Sequence, residues 1–189
     1  MATMSPLNFS HHLLVAMPAM VDSIFAKALI YVCEHNEQGA LGVIINRPIS
    51  LTMDDLFNQI KIPLDKTEFK SVPVHFGGPV QTDRGFVLHE PLGQWQSTLS
   101  INNKLGLTTS KDILEAVGVG QGPRNILVTL GYTGWAQGQL EQEMADNAWL
   151  SIPASEHILF DLPAEERLAT TMSLLGIDYA SLSEEAGHA

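Results

Sequence analysis

The chain has 189 residues, with 10 Lys+Arg against 21 Asp+Glu, a formal net charge of −11, and 45% hydrophobic residues. That apolar share supports a sizeable core and excludes a disordered chain. The acid excess is local: residues 1–135 hold 9 basic and 11 acidic side chains, whereas residues 136–189 hold Arg167 alone against 10 acidic ones, which argues against binding to nucleic acid or an anionic membrane.

In chain order, the apolar runs Leu13–Met17, Leu41–Ile45 and Ile126–Leu130 do not alternate with polar residues and predict strands buried on both faces. Leu29–Cys33, followed by the turn-like Glu34–Gly39, predicts a hairpin with 41–45. Thr52 with Asp55 forms a T-x-x-D capping pattern ahead of a helix. Residues 61–71 read as an exposed loop. The stretch 72–108 reads as β-rich, with strands at 86–88, 97–101 and 105–108 and turns at Phe76–Pro79 and Asp83–Gly85. Thr109 and Asp112 repeat the capping pattern before a helix that Gly118 or Gly120 ends. A further helix is predicted over 137–146. The last helix has Pro163 in its first turn, Leu168, Met172 and Leu175 on one face, and Gly176 after its last turn. The expected architecture is a single-domain α/β sandwich over 1–189, with a mixed, largely buried sheet and flanking helices. Residues 1–7 and 180–189 are expected as tails.

Chemical motifs are sparse. The single cysteine, Cys33, excludes an intrachain disulfide and a thiolate metal cluster, and it suits a reducing, cytoplasmic location. Cys33 lies in a predicted strand with His35 two residues on, so the two are expected on one face, where the imidazole could activate the thiol; a small buried hydrophobe is the plainer reading. No histidine pair has helical metal-ligand spacing, and no metal or cofactor is expected. The apolar part of residues 1–21 is shorter than a secretory core segment of roughly 7–15 residues, so no signal peptide is expected. No apolar run is long enough to cross a membrane as a helix, and no membrane partner is expected. Gly131–Gly138 is predicted to be a strand–Gly–helix turn whose free N–H groups could hold a phosphate, although it lacks the Lys and Ser/Thr of a P-loop. Glu141, Glu143 and Asp146 read as a solvated acidic helix face. Tyr132, Trp135 and Trp149 lie among amide and carboxylate side chains and suit either a binding cleft or a core corner.

These segments together resemble one family, the YqgE/AlgH family of bacterial proteins. The resemblance rests on His11-His12-Leu13-Leu14-Val15-Ala16-Met17-Pro18, Glu34-His35-Asn36, Gly42-Val43-Ile44-Ile45-Asn46-Arg47-Pro48 and Gly77-Gly78-Pro79-Val80. It continues through Asp83–His89, Thr109–Asp112, Leu130-Gly131-Tyr132, Trp135, Gly138–Glu141, Glu143, Asp146–Leu150 and Ala186–Ala189. It runs from about residue 8 onward, nearly the whole chain, and residues 61–72 carry little of it. It implies a compact α/β sandwich and a label of transcriptional regulator, from a role in alginate regulation. It implies no established reaction, cofactor or catalytic residue.

Direct DNA reading ranks last, since no helix-turn-helix with a basic recognition helix is present. With no nucleophile–base or metal constellation, a regulatory binding protein ranks ahead of an enzyme. It is expected to act through an unidentified protein or small-molecule partner. Candidate ligand- or partner-binding residues are Asn46, Arg47, His89, Tyr132, Trp135, Glu143 and Trp149, with Arg47 as a planar fork for carboxylate or phosphate. The alternative is a nucleotide or phosphometabolite binder, or an enzyme, using the turn at 131–138 with Arg47, Arg84 or His89.

Overall fold

The computed structural model describes residues 7–18 and 24–177; residues 1–6 of the expected N-terminal tail and all of the C-terminal tail, 180–189, lie outside them. The strands are β1 (His12–Ala16), β2 (Leu29–Asn36), β3 (Gly39–Ile44), β4 (Pro48–Thr52), β5 (Pro73–Phe76), β6 (Val80–Glu90), β7 (Thr98–Ser100), β8 (Gly106–Thr108), β9 (Asn125–Trp135) and β10 (Trp149–Pro153). The helices are α1 (Met53–Gln59), α2 (Thr67–Lys70), α3 (Lys111–Gly118), α4 (Gln139–Ala145) and α5 (Ala164–Leu175), with a π-helical turn at His157–Asp161. The spatial strand order is β10-β1-β2-β3-β9-β6-β8-β7; β4 pairs with β5, and β5 runs parallel to β9. The other pairings are antiparallel. The fold is therefore α/β with a mixed sheet, as the sequence predicts.

The unbroken apolar runs have a direct cause. Successive side chains of a strand leave by opposite faces, so a strand with cores on both sides needs apolar residues at every position. Leu13 and Val15 of β1 enter one core with the π-helical turn and Met172 of α5. Leu14 and Ala16 enter a second, with Trp135, Leu140 and Trp149. A third core packs Met53, Phe57, Ile113 and Val117 of α1 and α3 against Val74, Val87 and Val128.

Several predicted elements form where expected. β2 and β3 make the hairpin, with a register shift between Val32 and Glu34. At its turn Gly39 has φ +139, and a Cβ there would lie 2.2 Å from the Trp135 carbonyl oxygen, so glycine lets β9 approach. Thr52 caps α1: its Oγ1 accepts the Asp55 N–H at 3.2 Å while the Asp55 carboxylate accepts the Thr52 N–H at 3.0 Å. Thr52→Ala is expected to cost about 1 kcal/mol, read as a lower urea midpoint at unchanged m-value. α5 ends at Gly176, at φ +73.

Other expectations need correction. The second capping pattern does not form from Thr109; Ser110 is the N-cap, and its hydroxyl donates to Asp112 at 2.6 Å. Residues 61–71 are not simply an exposed loop, because Ile62 and Leu64 are buried and 67–70 form α2. Asp83–Gly85 is not a turn but a register irregularity inside β6. The largest correction concerns Gly131–Gly138. β9 runs on through Gly131 and Gly134 to Trp135, and only 136–138 connect it to α4. Gly131, which suggests a turn, instead serves close packing: a Cβ there would lie 2.3 Å from the Gly78 carbonyl oxygen.

Candidate functional site

The candidate residues fall into separate places. Trp135 at the end of β9, Trp149 at the start of β10 and Glu143 on α4 do meet. Both indole Nε1–H groups donate to Glu143 Oε1, at 3.1 and 2.8 Å, and Gln139 Nε2 donates to the second oxygen at 2.8 Å. The indoles lie edge to face, centroids 6.1 Å apart, and Phe25 adds a second edge contact to Trp149. Both tryptophans are buried. One carboxylate thus joins two strands to a helix, and the acidic face of α4 is not simply solvated.

Tyr132 does not join them. It is three positions from Trp135 along one strand, hence on the opposite face, and packs edge-on to Phe86 with centroids 5.3 Å apart. Asn46 accepts the Leu29 N–H and donates to the Lys27 carbonyl, both at 2.9 Å, tying the end of β3 to the start of β2. The fork of Arg47 donates to the carbonyls of Ile24 and Ala26. His89 is fully buried between the Pro91 carbonyl at 3.0 Å and Thr108 Oγ1 at 2.7 Å, and burial, partly opposed by that carbonyl, lowers its pKa.

Cys33 is buried, and desolvation, with the nearby Glu34 charge, raises its thiol pKa. The register shift after Val32 turns His35 away from it, correcting the expected pairing: Cys33 packs in the α5-side core, while His35 joins Phe9 and Glu141 on the other side.

That partnership escapes sequence reasoning. His35 Nδ1 accepts the Phe9 N–H at 2.9 Å, so the proton sits on Nε2, which donates to Glu141 Oε1 at 2.5 Å. The ring stacks on Phe9 at 5.6 Å, and Ser10 Oγ accepts the His35 N–H at 2.9 Å. With both ring nitrogens engaged, His35 holds Glu141 in place rather than acting as a free base. Beside the dyad opens a cavity of about 570 Å³, lined by Leu7, Asn8 and the β2–β3 turn Asn36–Gln38. The lining carries two carboxylates, Glu37 and Glu141, and no Lys or Arg. Two motifs of the resemblance, Glu34-His35-Asn36 and Gly138–Glu141, reach this corner, but nothing in their spacing pairs them.

Among the described residues, no group of three or more His, Cys, Asp or Glu side chains could hold a metal ion. No helix among them is long and apolar enough to cross a membrane.

Comparison with known proteins gives these arrangements a lineage. A UPF0301 protein of Nitrosospira multiformis is 57% identical over 186 residues, covering 98% of this chain and 100% of that protein. The solution structure of the AlgH protein from Pseudomonas aeruginosa matches with TM-score 0.80 and 48% identity, covering 100% of both chains. The crystal structure of protein DIP2367 from Corynebacterium diphtheriae shares the fold, with TM-score 0.71 at 20% identity over 97% of this chain and 94% of that one. The model of the AlgH-like family matches residues 13–180. The chain belongs to the AlgH-like family.

Proposed function

We propose that this chain is a non-enzymatic regulatory protein of the cytoplasm, AlgH-like in role as in sequence, that acts by binding a partner rather than by reading DNA. The observation that carries this reading is the cavity of about 570 Å³ at the β2–β3 turn. Its lining is acidic and amide-rich, with Glu141 fixed by His35 and Glu37 on the exposed hairpin turn. One preorganised carboxylate, Glu141, beside amides and the exposed Glu37 suits a Lys- or Arg-bearing segment of a partner protein, because a fixed acceptor meets a donor without further ordering cost. A DNA duplex is a poor fit, since its phosphates would face Glu37 and Glu141. The chemistry nearby supports binding over catalysis: both His35 nitrogens are engaged and the Cys33 thiol is buried with a raised pKa. The turn at 131–138 offers no nucleotide cradle, because most of it is strand.

The test is a charge reversal at the rim. In pull-downs from bacterial lysate with the full chain as bait, Glu37→Lys is expected to reduce recovery of the co-purifying partner at least tenfold at an unchanged melting temperature. Equal recovery by wild type and Glu37→Lys overturns the assignment of this cavity.

A further inference from the structure

We infer that a second cavity, walled by β5, β9, the π-helical turn and α5, is a binding site for a small organic oxyanion, a carboxylate or a phosphate ester, held by Arg167 and His75. The cavity has a volume of about 230 Å³. In a chain of net charge −11 its lining holds two guanidinium side chains, Arg124 and Arg167, one histidine, and no Asp or Glu. Arg124 is exposed and already pairs with Glu90 at 3.0 Å, outside the lining. Arg167 is the unusual one.

Arg167 is 7% exposed, and among the described residues no carboxylate lies within ion-pair distance of it. Its Nε donates to the Leu162 carbonyl at 3.2 Å, and its Nη1 donates to the Ile45 carbonyl at 2.5 Å and to His75 Nε2 at 3.3 Å. Nη2 makes no hydrogen bond among the described residues. A buried cation is ordinarily matched by an anion, because removing it from water is costly. Two carbonyls supply partial dipoles, not a counter-charge. Burial lowers the Arg167 pKa to about 10, with Glu165 opposing, so the group remains charged at neutral pH.

His75 lies beside it in the same lining. It is 4% exposed, and because its Nε2 accepts from Arg167, the ring proton sits on Nδ1. That Nδ1 is sealed from solvent without a well-formed hydrogen bond, and the Pro73 backbone acts on it only weakly. An unmet buried donor costs about 1–3 kcal/mol, and such groups are few in folded proteins. One cavity therefore holds a guanidinium with no ion-pair partner and an Nη2 without a hydrogen bond, beside a histidine, and an oxyanion supplies the missing counter-charge. Apart from Asn125, the remaining walls, including Met53, Phe69 and Phe160, are apolar, which favours an organic anion over an inorganic one. The π-helical turn that carries Phe160 into this wall is a rare backbone form concentrated at functional sites.

The test uses the full chain with four probes at constant ionic strength: benzoate, phenyl phosphate, inorganic phosphate and uncharged benzyl alcohol. Benzoate or phenyl phosphate is expected to raise the melting temperature saturably by at least 2 °C at millimolar concentration. Whichever of the two shifts it further identifies a carboxylate or a phosphate-ester site. In NMR spectra of the wild type, the Arg167 Nε–H and His75 ring signals are expected to move in that same titration. Arg167→Met is expected to weaken the response at least tenfold, and His75→Phe does the same should the Arg167 variant fail to fold. A response to benzyl alcohol alone or to inorganic phosphate alone, no response to any probe, or signals moving elsewhere while those of Arg167 and His75 stay fixed overturns the site.

Discussion

Replacing Glu143 by Leu is expected to destabilise the protein by about 2–4 kcal/mol and to alter its tryptophan fluorescence. Two buried indole N–H groups depend on one oxygen of this carboxylate. Each buried donor left unpaired costs about 1–3 kcal/mol, and the partial exposure of Glu143 discounts the sum. Leu fills similar volume, so the loss reports hydrogen bonding rather than a cavity. Glu143→Gln retains a carbonyl that can accept from both indoles and is expected to cost about 1 kcal/mol, for the lost charge assistance. Because Trp135 and Trp149 are two of the three tryptophans, the emission spectrum reads this corner directly. Equal urea midpoints for wild type and Glu143→Leu would mean that water takes over the indole protons and that the carboxylate is not the joint between α4, β9 and β10.

Stability is expected to fall by about 3 kcal/mol as the pH drops from 6.5 to about 4, and His75 is the largest identifiable cause. Burial first, and the Arg167 charge second, lower its folded pKa from 6.5 to about 4, against a smaller opposing effect of the Pro73 backbone. Between those values the unfolded chain binds a proton that the folded chain refuses. The stability is therefore fully present above pH 6.5 and declines toward pH 4, at up to about 1.4 kcal/mol per pH unit. Burial lowers the pKa values of His11 and His89 as well, so they act in the same direction. His75→Asn removes the titrating group and keeps an acceptor for Arg167. Urea titrations across this range should show a shallower acid limb in His75→Asn than in wild type; parallel limbs would assign the acid sensitivity elsewhere.

How much of this is legible in the sequence follows the range of the interactions. The β2–β3 hairpin, the Thr52 cap and the Gly176 stop are local, written within a few residues of each other, and they form as read. β9 is mistaken for a strand and a turn because Gly131 and Gly134 are judged by intrinsic propensity. In the fold, pairing to β3 on one side and β6 on the other carries the strand through both. That misreading also misplaces the aromatics: within a strand, the three-residue spacing of Tyr132 and Trp135 separates them, whereas in a turn it leaves their directions open. The Glu143–Trp135 contact spans eight residues and lies at the margin of what spacing can suggest. His35–Glu141 and His75–Arg167 are 106 and 92 residues apart. No periodicity connects such pairs. The sequence shows only a lone Arg167 in an acidic third, and only the fold shows it buried beside His75.

The position of β9 sets an order of events for folding. Residues 125–135 sit between β3 and β6 and also pair with β5, so the strands made earlier cannot close into one sheet until this segment arrives. The outer seam closes later still, since His12 pairs with Pro153. Such long loop closures slow folding, because chain entropy is lost before the contacts repay it. During synthesis the local β2–β3 hairpin is expected to form first, with the apolar faces of β1–β3 uncovered until the last third emerges. A nascent chain of this topology is most exposed to aggregation and to chaperones just before residue 125 leaves the ribosome.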